Sequence, residues 1–226
     1  MAGLTVSDAV ALVRKNIDEI GLNDSVMYSD GNNDNTSLDL IIKKTLPEVI
    51  NEVNLSAPIE DLEGTDFGND IVDANIDTEG VLSFTFPTGH KFLRLVKFQA
   101  PDSDLAVTDV IAEASPEGRK QLNKTIRGTY DKPRLVMLQG SVSEPKFKYC
   151  SLKKEARLDG GAKTIEGKTF VMEAVEEQSY AESATEYPIS RTLTQTVINV
   201  LTARVLIILG ETEKAKAFLP QTNQSE

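Results

Sequence analysis

The sequence predicts an α+β fold: a helical bundle made by N- and C-terminal helices, with a central antiparallel β-rich insertion. Three observations carry this. Apolar residues recur at steps of three and four within residues 6–17, 38–53 and 189–208, which is the helical period. From residue 81 to 173, short runs rich in β-branched and aromatic residues alternate with Gly, Pro and Asp turn signals. The chain from 55 to 80 is rich in Asp, Glu and Gly and has no clear period. The expected organisation is therefore 1–80, an N-terminal helical part with an acidic loop, then 81–185, a β-rich insertion with a long basic loop. Residues 186–226 supply C-terminal helices and a tail, packing with 1–80 as one domain. A chain of 226 residues, 40% hydrophobic and 26% charged, suits one domain with a sizeable insertion.

The first helix is "TVSDAVALVRKNIDEIG", with Val6, Ala9, Val10, Val13, Ile17 and Ile20 on one stripe, Thr5 or Ser7 as its cap and Gly21 as its close. In "SDGNNDNTSLDLII", Asp30, Asn32 and Asp34 alternate as the first ligands of a calcium loop would. Such a loop needs a glycine at its sixth position and a glutamate at its twelfth. Here those positions hold Asn35 and Ile41, so calcium is excluded by geometry. The same residues suit turn and cap chemistry, with Thr36 three residues ahead of Asp39. The helix that follows places Leu38, Ile41, Ile42, Leu46, Val49, Ile50 and Val53 on a stripe, and Pro47 predicts a kink or a break into two short helices.

After the acidic loop, which holds one short strand at most, two β-prone runs flank "PTGH" as in a hairpin. Further strands are expected at 134–140, 145–151 and 168–173. Residues 104–133 are long, polar and mostly irregular, with Ser115 capping one helical turn at Pro116–Leu122. So long a connection binds something or crosses to a neighbour. The longest helix is expected over 189–209, burying Ile189, Leu193, Val197, Val200, Leu201, Val205 and Ile208, with Gly210 after its end. A short helix at "ETEKAKAFL" and a free tail follow. The most apolar stretch, 197–210, contains Arg204 and falls short of the ~20 residues of a spanning helix. It is a core or subunit-interface helix.

The net charge of −11 is unevenly placed. Residues 1–86 hold 17 acids against 4 bases, and residues 87–226 hold 18 against 20. The acidic part argues against wrapping nucleic acid, yet it suits a surface that DNA slides past. The plainer reading is an acidic face that keeps the protein soluble. A single cysteine, Cys150, excludes an internal disulfide and suits a reduced compartment. The N-terminus reads as mature sequence rather than a leader.

No enzyme is legible. His90 is the one histidine and would have to serve any nucleophile dyad alone; its neighbours make it a turn residue. Cys150 lies in an alternating strand and reads as a packed thiol. No phosphate-cradling glycine motif occurs, and one His with one Cys does not make a zinc set. No catalytic, cofactor or metal residues are assigned.

Basic residues gather in "GRKQLNKTIRGTYDKPR": Arg119, Lys120, Lys124, Arg127, Lys132 and Arg134, with Asp131 as the one acid. This is a docking site for a partner's carboxylates, a nucleic-acid contact, or a solvated loop. A basic loop and an acidic N-terminal part in one chain suit head-to-tail pairing of identical subunits. Arg119, Lys120, Arg127 and Arg134 are the candidate partner-interface residues.

The stretch "KFLRLVKFQAPDSDLAVTDVIAEASPEGRKQLNKTIRGTYDKPR" resembles the middle of neck proteins from tailed phages of gut Bacteroidetes, the crAss-like phages among them. The opening "DAVALVRKNIDEIG" with "LDLIIKKTLPEVINEV" and the closing "LTARVLIILGETEKAKAFL" are similar too, so the likeness spans most of the chain. It implies a head–tail connector, or adaptor. Such a protein forms a ring, usually a dodecamer, beneath the portal protein, meets further neck or tail proteins, and extends the channel through which genomic DNA passes without sequence recognition. It implies no cofactor, no membrane, and a place in the virion neck after assembly in the host cytoplasm. The alternative class is a nucleic-acid-binding or DNA-packaging accessory protein using the same basic loop.

Overall fold

The structure is a computed structural model that describes residues 3–19, 34–101, 103–123, 125–127, 132–139, 144–151, 164–165 and 168–219. It is a mixed α+β protein. The chain forms two compact units, one from residues 1–61 and 178–226, the other from 62–177.

In the first unit, a short strand β1 (Gly3–Thr5) leads directly into α1 (Val6–Glu19). Thr5 is the helix cap: the Asp8 N–H donates to its Oγ1 at 3.1 Å, and that hydroxyl donates to the Asp8 carboxylate at 2.6 Å. Val6, Ala9, Val13 and Ile17 are buried, as the period requires; Ile20 and Gly21 lie outside the described residues. The second helix, α2 (Asp34–Ser56), begins ahead of Thr36, the expected cap. Asp30 and Asn32 lie outside the described residues. Asp39 pairs with Arg14 of α1 at 2.8 Å.

Pro47 does not split α2 into two helices. It removes the bond to the Lys43 carbonyl, a cost of about 3 kcal/mol in an isolated helix. Leu46, Val49 and Ile50 around it are fully buried, and that packing holds the helix through the defect. The third long helix, α4 (Arg191–Ile208), contacts both α1 and α2, which also contact each other. Asn16 of α1 donates to Thr202 at 3.1 Å, Arg204 pairs with Glu52 of α2, and Asn51 exchanges two 2.8 Å bonds with the Gln178 backbone. β1 pairs antiparallel with β12 (Glu186–Pro188), with Leu4 opposite Tyr187.

The end of α4 is set by Gly210 at φ +85. The Gly210 N–H reaches the Ile207 carbonyl and the Glu211 N–H the Leu206 carbonyl, the paired bonds of a left-handed C-terminal cap. A one-turn helix, α5 (Thr212–Ala215), follows. The buried stripe of α4 includes Leu193, Val197, Leu201 and Val205 as expected, but takes Ile198 and Leu206 and leaves Ile208 exposed. The stripe drifts because 3.6 residues per turn does not keep one residue in every three or four aligned over five turns.

The second unit has two main sheets. The chain first forms β2 (Thr65–Asp66) and β3 (Val72–Ile76), then β4 (Leu82–Thr85) and β5 (Phe92–Gln99). Next come β6 (Val110–Ala112), the helix α3 (Pro116–Leu122), β7 (Leu135–Met137) and β8 (Lys146–Tyr149). After a small ladder of β9 (Thr164–Ile165) and β10 (Lys168–Thr169), β11 (Val171–Glu176) ends the unit. The five-stranded sheet has the order β3-β4-β8-β7-β6 and the three-stranded sheet β2-β11-β5. Pairing is antiparallel except for β6 with β7, which run parallel. That pair is possible because the stretch expected to be irregular holds a crossover through α3.

Two expectations change here. β4 and β5 are not a hairpin: β4 pairs with β3 and β8, and β5 with β11. The "PTGH" turn, with Gly89 at φ +89, carries the chain from one sheet to the other, and Phe86 meets Phe92 across that corner at 5.4 Å. The acidic stretch placed with the N-terminal helices belongs by pairing to the β unit, since β2 joins β11 and β3 joins β4. The unit boundary therefore falls at 61/62, not 80/81, and its return at 177/178, not 185/186. Asp73 and Asn75, alternating with Val72, Ala74 and Ile76, hid an edge strand, which needs only one apolar face.

One aromatic core fills the unit. Phe84, Phe147 and Tyr149 come from the large sheet and Phe98 and Met172 from the small one, with Phe67 and Phe170 alongside. Phe98 is in ring contact with Phe84 at 5.3 Å, Tyr149 at 5.2 Å and Phe170 at 6.2 Å.

Candidate functional site

The basic segment is divided by the fold. Ser115 caps α3 by accepting from the Gly118 N–H at 3.0 Å, with Pro116 in the first turn. Gly118 rests so close to the Ala112 carbonyl that a Cβ would sit 2.1 Å from its oxygen, which anchors α3 on the β6 edge. Arg119 and Lys120 on this helix are exposed, and the Arg119 guanidinium folds back to donate to the Ala114 carbonyl at 2.8 and 3.1 Å.

Arg127 behaves differently. Its side chain is 15% exposed and pairs with the Glu79 carboxylate at 3.6 Å, while donating to the Glu79 carbonyl at 3.2 Å. Glu79 lies in the turn between β3 and β4. The segment from α3 to Arg127 thus runs from one edge of the five-stranded sheet toward the other. Arg127 pins it there, so this guanidinium is engaged within its own chain. Arg134 is exposed just ahead of β7 and donates to the Pro133 carbonyl at 3.0 Å. Because Ala112 pairs with Met137 and Val110 with Leu135, Arg134 sits at the opposite end of the β6–β7 pair from the chain entering α3. Lys132 is exposed; Lys124 and Asp131 lie outside the described residues. The structure brings together Arg119 and Lys120, and separates them from Arg134.

His90 and Cys150 have local partners. His90 Nδ1 lies 2.6 Å from the Glu176 carboxylate, and its ring meets the edge of Phe67 at 5.2 Å. Cys150 is buried immediately after β8. Burial pushes its thiol above the ordinary 9.0, against the pull of Arg127 and Lys148 toward a lower value and with a smaller push from Asp77. The unfolded thiol ionises first, so the unfolded state holds fewer protons above 9.0 and stability falls as pH rises past that value. Denaturant titrations below and above 9.0 are expected to show this decline, and Cys150→Ala to reduce it. Among the described residues, no three His, Cys, Asp or Glu side chains gather as a metal site, and no helix is long and apolar enough to cross a membrane.

A groove that the sequence did not announce opens in the first unit. One wall is α1, where Val6, Val10, Ala11 and Arg14 recur at helical spacing; a second is Asp39 and Lys43 of α2; the third is the segment ahead of β12, with Tyr180 and Glu182. Its volume is about 560 Å³. The Arg14–Asp39 pair bridges the two helices along it, with both side chains about a third exposed. Ala11 could have signalled the opening: a small residue beside the buried stripe of α1 leaves room on the helix flank. The third wall is out of reach of any local pattern.

Exposed aliphatic residues also concentrate in this unit. Leu12, Leu40, Leu55 and Leu219 are exposed, as are the consecutive Ile207 and Ile208 at 48% and 54%. Single exposed apolar residues are ordinary, so the adjacent pair at the end of α4 is the feature that stands out.

No protein-family model matches the chain, and no curated protein does. The fold and the site define an α+β protein of two compact units, with an open groove and an exposed aliphatic helix end in its helical unit.

Proposed function

We propose that this chain is a structural virion protein. Its N- and C-terminal helices form a bundle that carries a β-rich insertion, and copies of it form a ring beneath the portal, joining phage head to tail and extending the DNA channel. The observation that carries the reading is the three-part likeness to neck proteins, which spans both helical ends and the middle of the chain. The adjacent, half-exposed Ile207 and Ile208 at the end of α4 support assembly, as an apolar surface available to a neighbouring copy. The acid excess of residues 1–86 supports a wall that DNA passes without adhering. Its partners are then further copies in a dodecameric ring, the portal, other neck or tail proteins and the passing genome, and no bond is made or broken. Arg119, Lys120 and Arg134 are exposed for neighbour or portal contacts, whereas Arg127, paired with Glu79, acts by holding the segment that follows α3.

The expected result is a ring-sized particle when the protein is mixed with its portal, seen by light scattering and electron microscopy. A chain that stays monomeric and never binds portal would overturn the proposal. The exposed cations also favour a second reading, a DNA-binding packaging accessory. Salt-dependent DNA binding lost in Arg119→Glu/Lys120→Glu would favour it. Arg127→Glu is unsuited to that test because it also breaks the Glu79 pair.

A further inference from the structure

We infer that the groove between α1, α2 and residues 180–187 receives the exposed C-terminal end of α4 from a second copy of this chain. The inference rests on the ring reading above and names the contact that would propagate the ring.

The two surfaces fit in kind. The groove is lined on its α1 wall by Val6, Val10 and Ala11 and is open to solvent, so it offers an apolar slot. The end of α4 offers two adjacent isoleucines, Ile207 and Ile208, half exposed at the last turn and held there by the Gly210 cap. These isoleucines cannot join their own unit's core. The buried stripe at that turn is completed by Val205 and Leu206, so the next two positions face elsewhere.

The charges fit as well. At the groove rim, Lys43 and Glu182 are exposed and make no ion pair among the described residues. The residues that follow the isoleucines carry both complementary signs, Glu211 and Glu213 with Lys214 and Lys216. The Glu213–Lys216 pair is exposed, 83% and 67% accessible, and such a pair is readily exchanged, while the Glu211–Lys214 pair is about a third exposed. A contact of this kind uses different patches on the two copies. It is heterologous, and repeating it closes a ring when the rotation permits.

The test joins the two surfaces covalently in the full-length chain. Ala11→Cys and Ile208→Cys both replace exposed residues, and Cys150 is buried. Under mild oxidation at high protein concentration, the double variant is expected to give a ladder of multiples of 24.7 kDa. Each single variant stops at the dimer. Adding Ile207→Asp to the pair removes the ladder while the helical circular dichroism of the chain is kept, because that side chain is half exposed. If the double variant gives no more than the singles, the pairing is wrong. The mass of the unmodified protein with portal then separates the cases: a ring-sized particle leaves the ring reading standing with another interface, and a monomer that ignores portal ends both.

Discussion

Phe98→Ala is expected to lower the melting temperature of the β unit by about 10–30 °C while the helices of the other unit stay folded. Phe98 is fully buried and joins rings from the large sheet, Phe84 and Tyr149, to Phe170. Removing a buried phenylalanine costs about 3–5 kcal/mol, because the lost transfer energy is joined by a cavity that rigid neighbours cannot fill. A domain is stable by only about 5–15 kcal/mol in total. The core that suffers is confined to residues 67–174, so the damage has a boundary. Circular dichroism would resolve it, with the β and aromatic signals lost in an early transition and the helical signal in a later one. One unaltered transition for the variant and the unmodified protein would mean that Phe98 holds nothing together.

Residues 62–177, produced alone, are expected to fold cooperatively. The unit has its own core, and its first and last strands are neighbours: β2 pairs with β11, Thr65 opposite Ala174 and Asp66 opposite Glu173. The chain therefore enters and leaves at adjacent positions, and excision cuts no strand out of a sheet. The buried aromatic core, from Phe67 to Ala174, lies wholly inside the excised stretch. Dispersed amide resonances and a sigmoidal thermal melt would be the result. A collapsed or unfolded fragment would mean that the flanking helices complete its core.

The helices were legible because each is specified by its own neighbours in sequence. Val6, Ala9, Val13 and Ile17 declare a face whatever lies opposite, and the caps at Thr5 and Ser115 are contacts between residues three apart. The strand at Lys146–Tyr149 was legible for the same reason, with Phe147 and Tyr149 buried between lysines. Pairing was not. Nothing in "FTFPTGHKF" says that β4 will lie beside β8 and β5 beside β11, because register is chosen by partners sixty or more residues away.

The candidate site divides along the same line. Sequence found the basic residues, since charge clusters are visible in a string, but not that Arg127 would turn inward to Glu79, a residue forty-eight positions earlier. It did not find the groove, whose three walls come from the start, the second helix and the C-terminal part of the chain.

By itself, the sequence determined which segments are helical, which are β-prone, where several helices begin and end, and how the charge is distributed, because propensity, period and capping act over a few residues. Only the tertiary structure decided that Pro47 stays inside one helix, that the acidic stretch joins the β unit, and which arginines remain exposed. Those outcomes turn on the burial of surfaces brought together from distant parts of the chain, and that free energy exists only once both partners are in place.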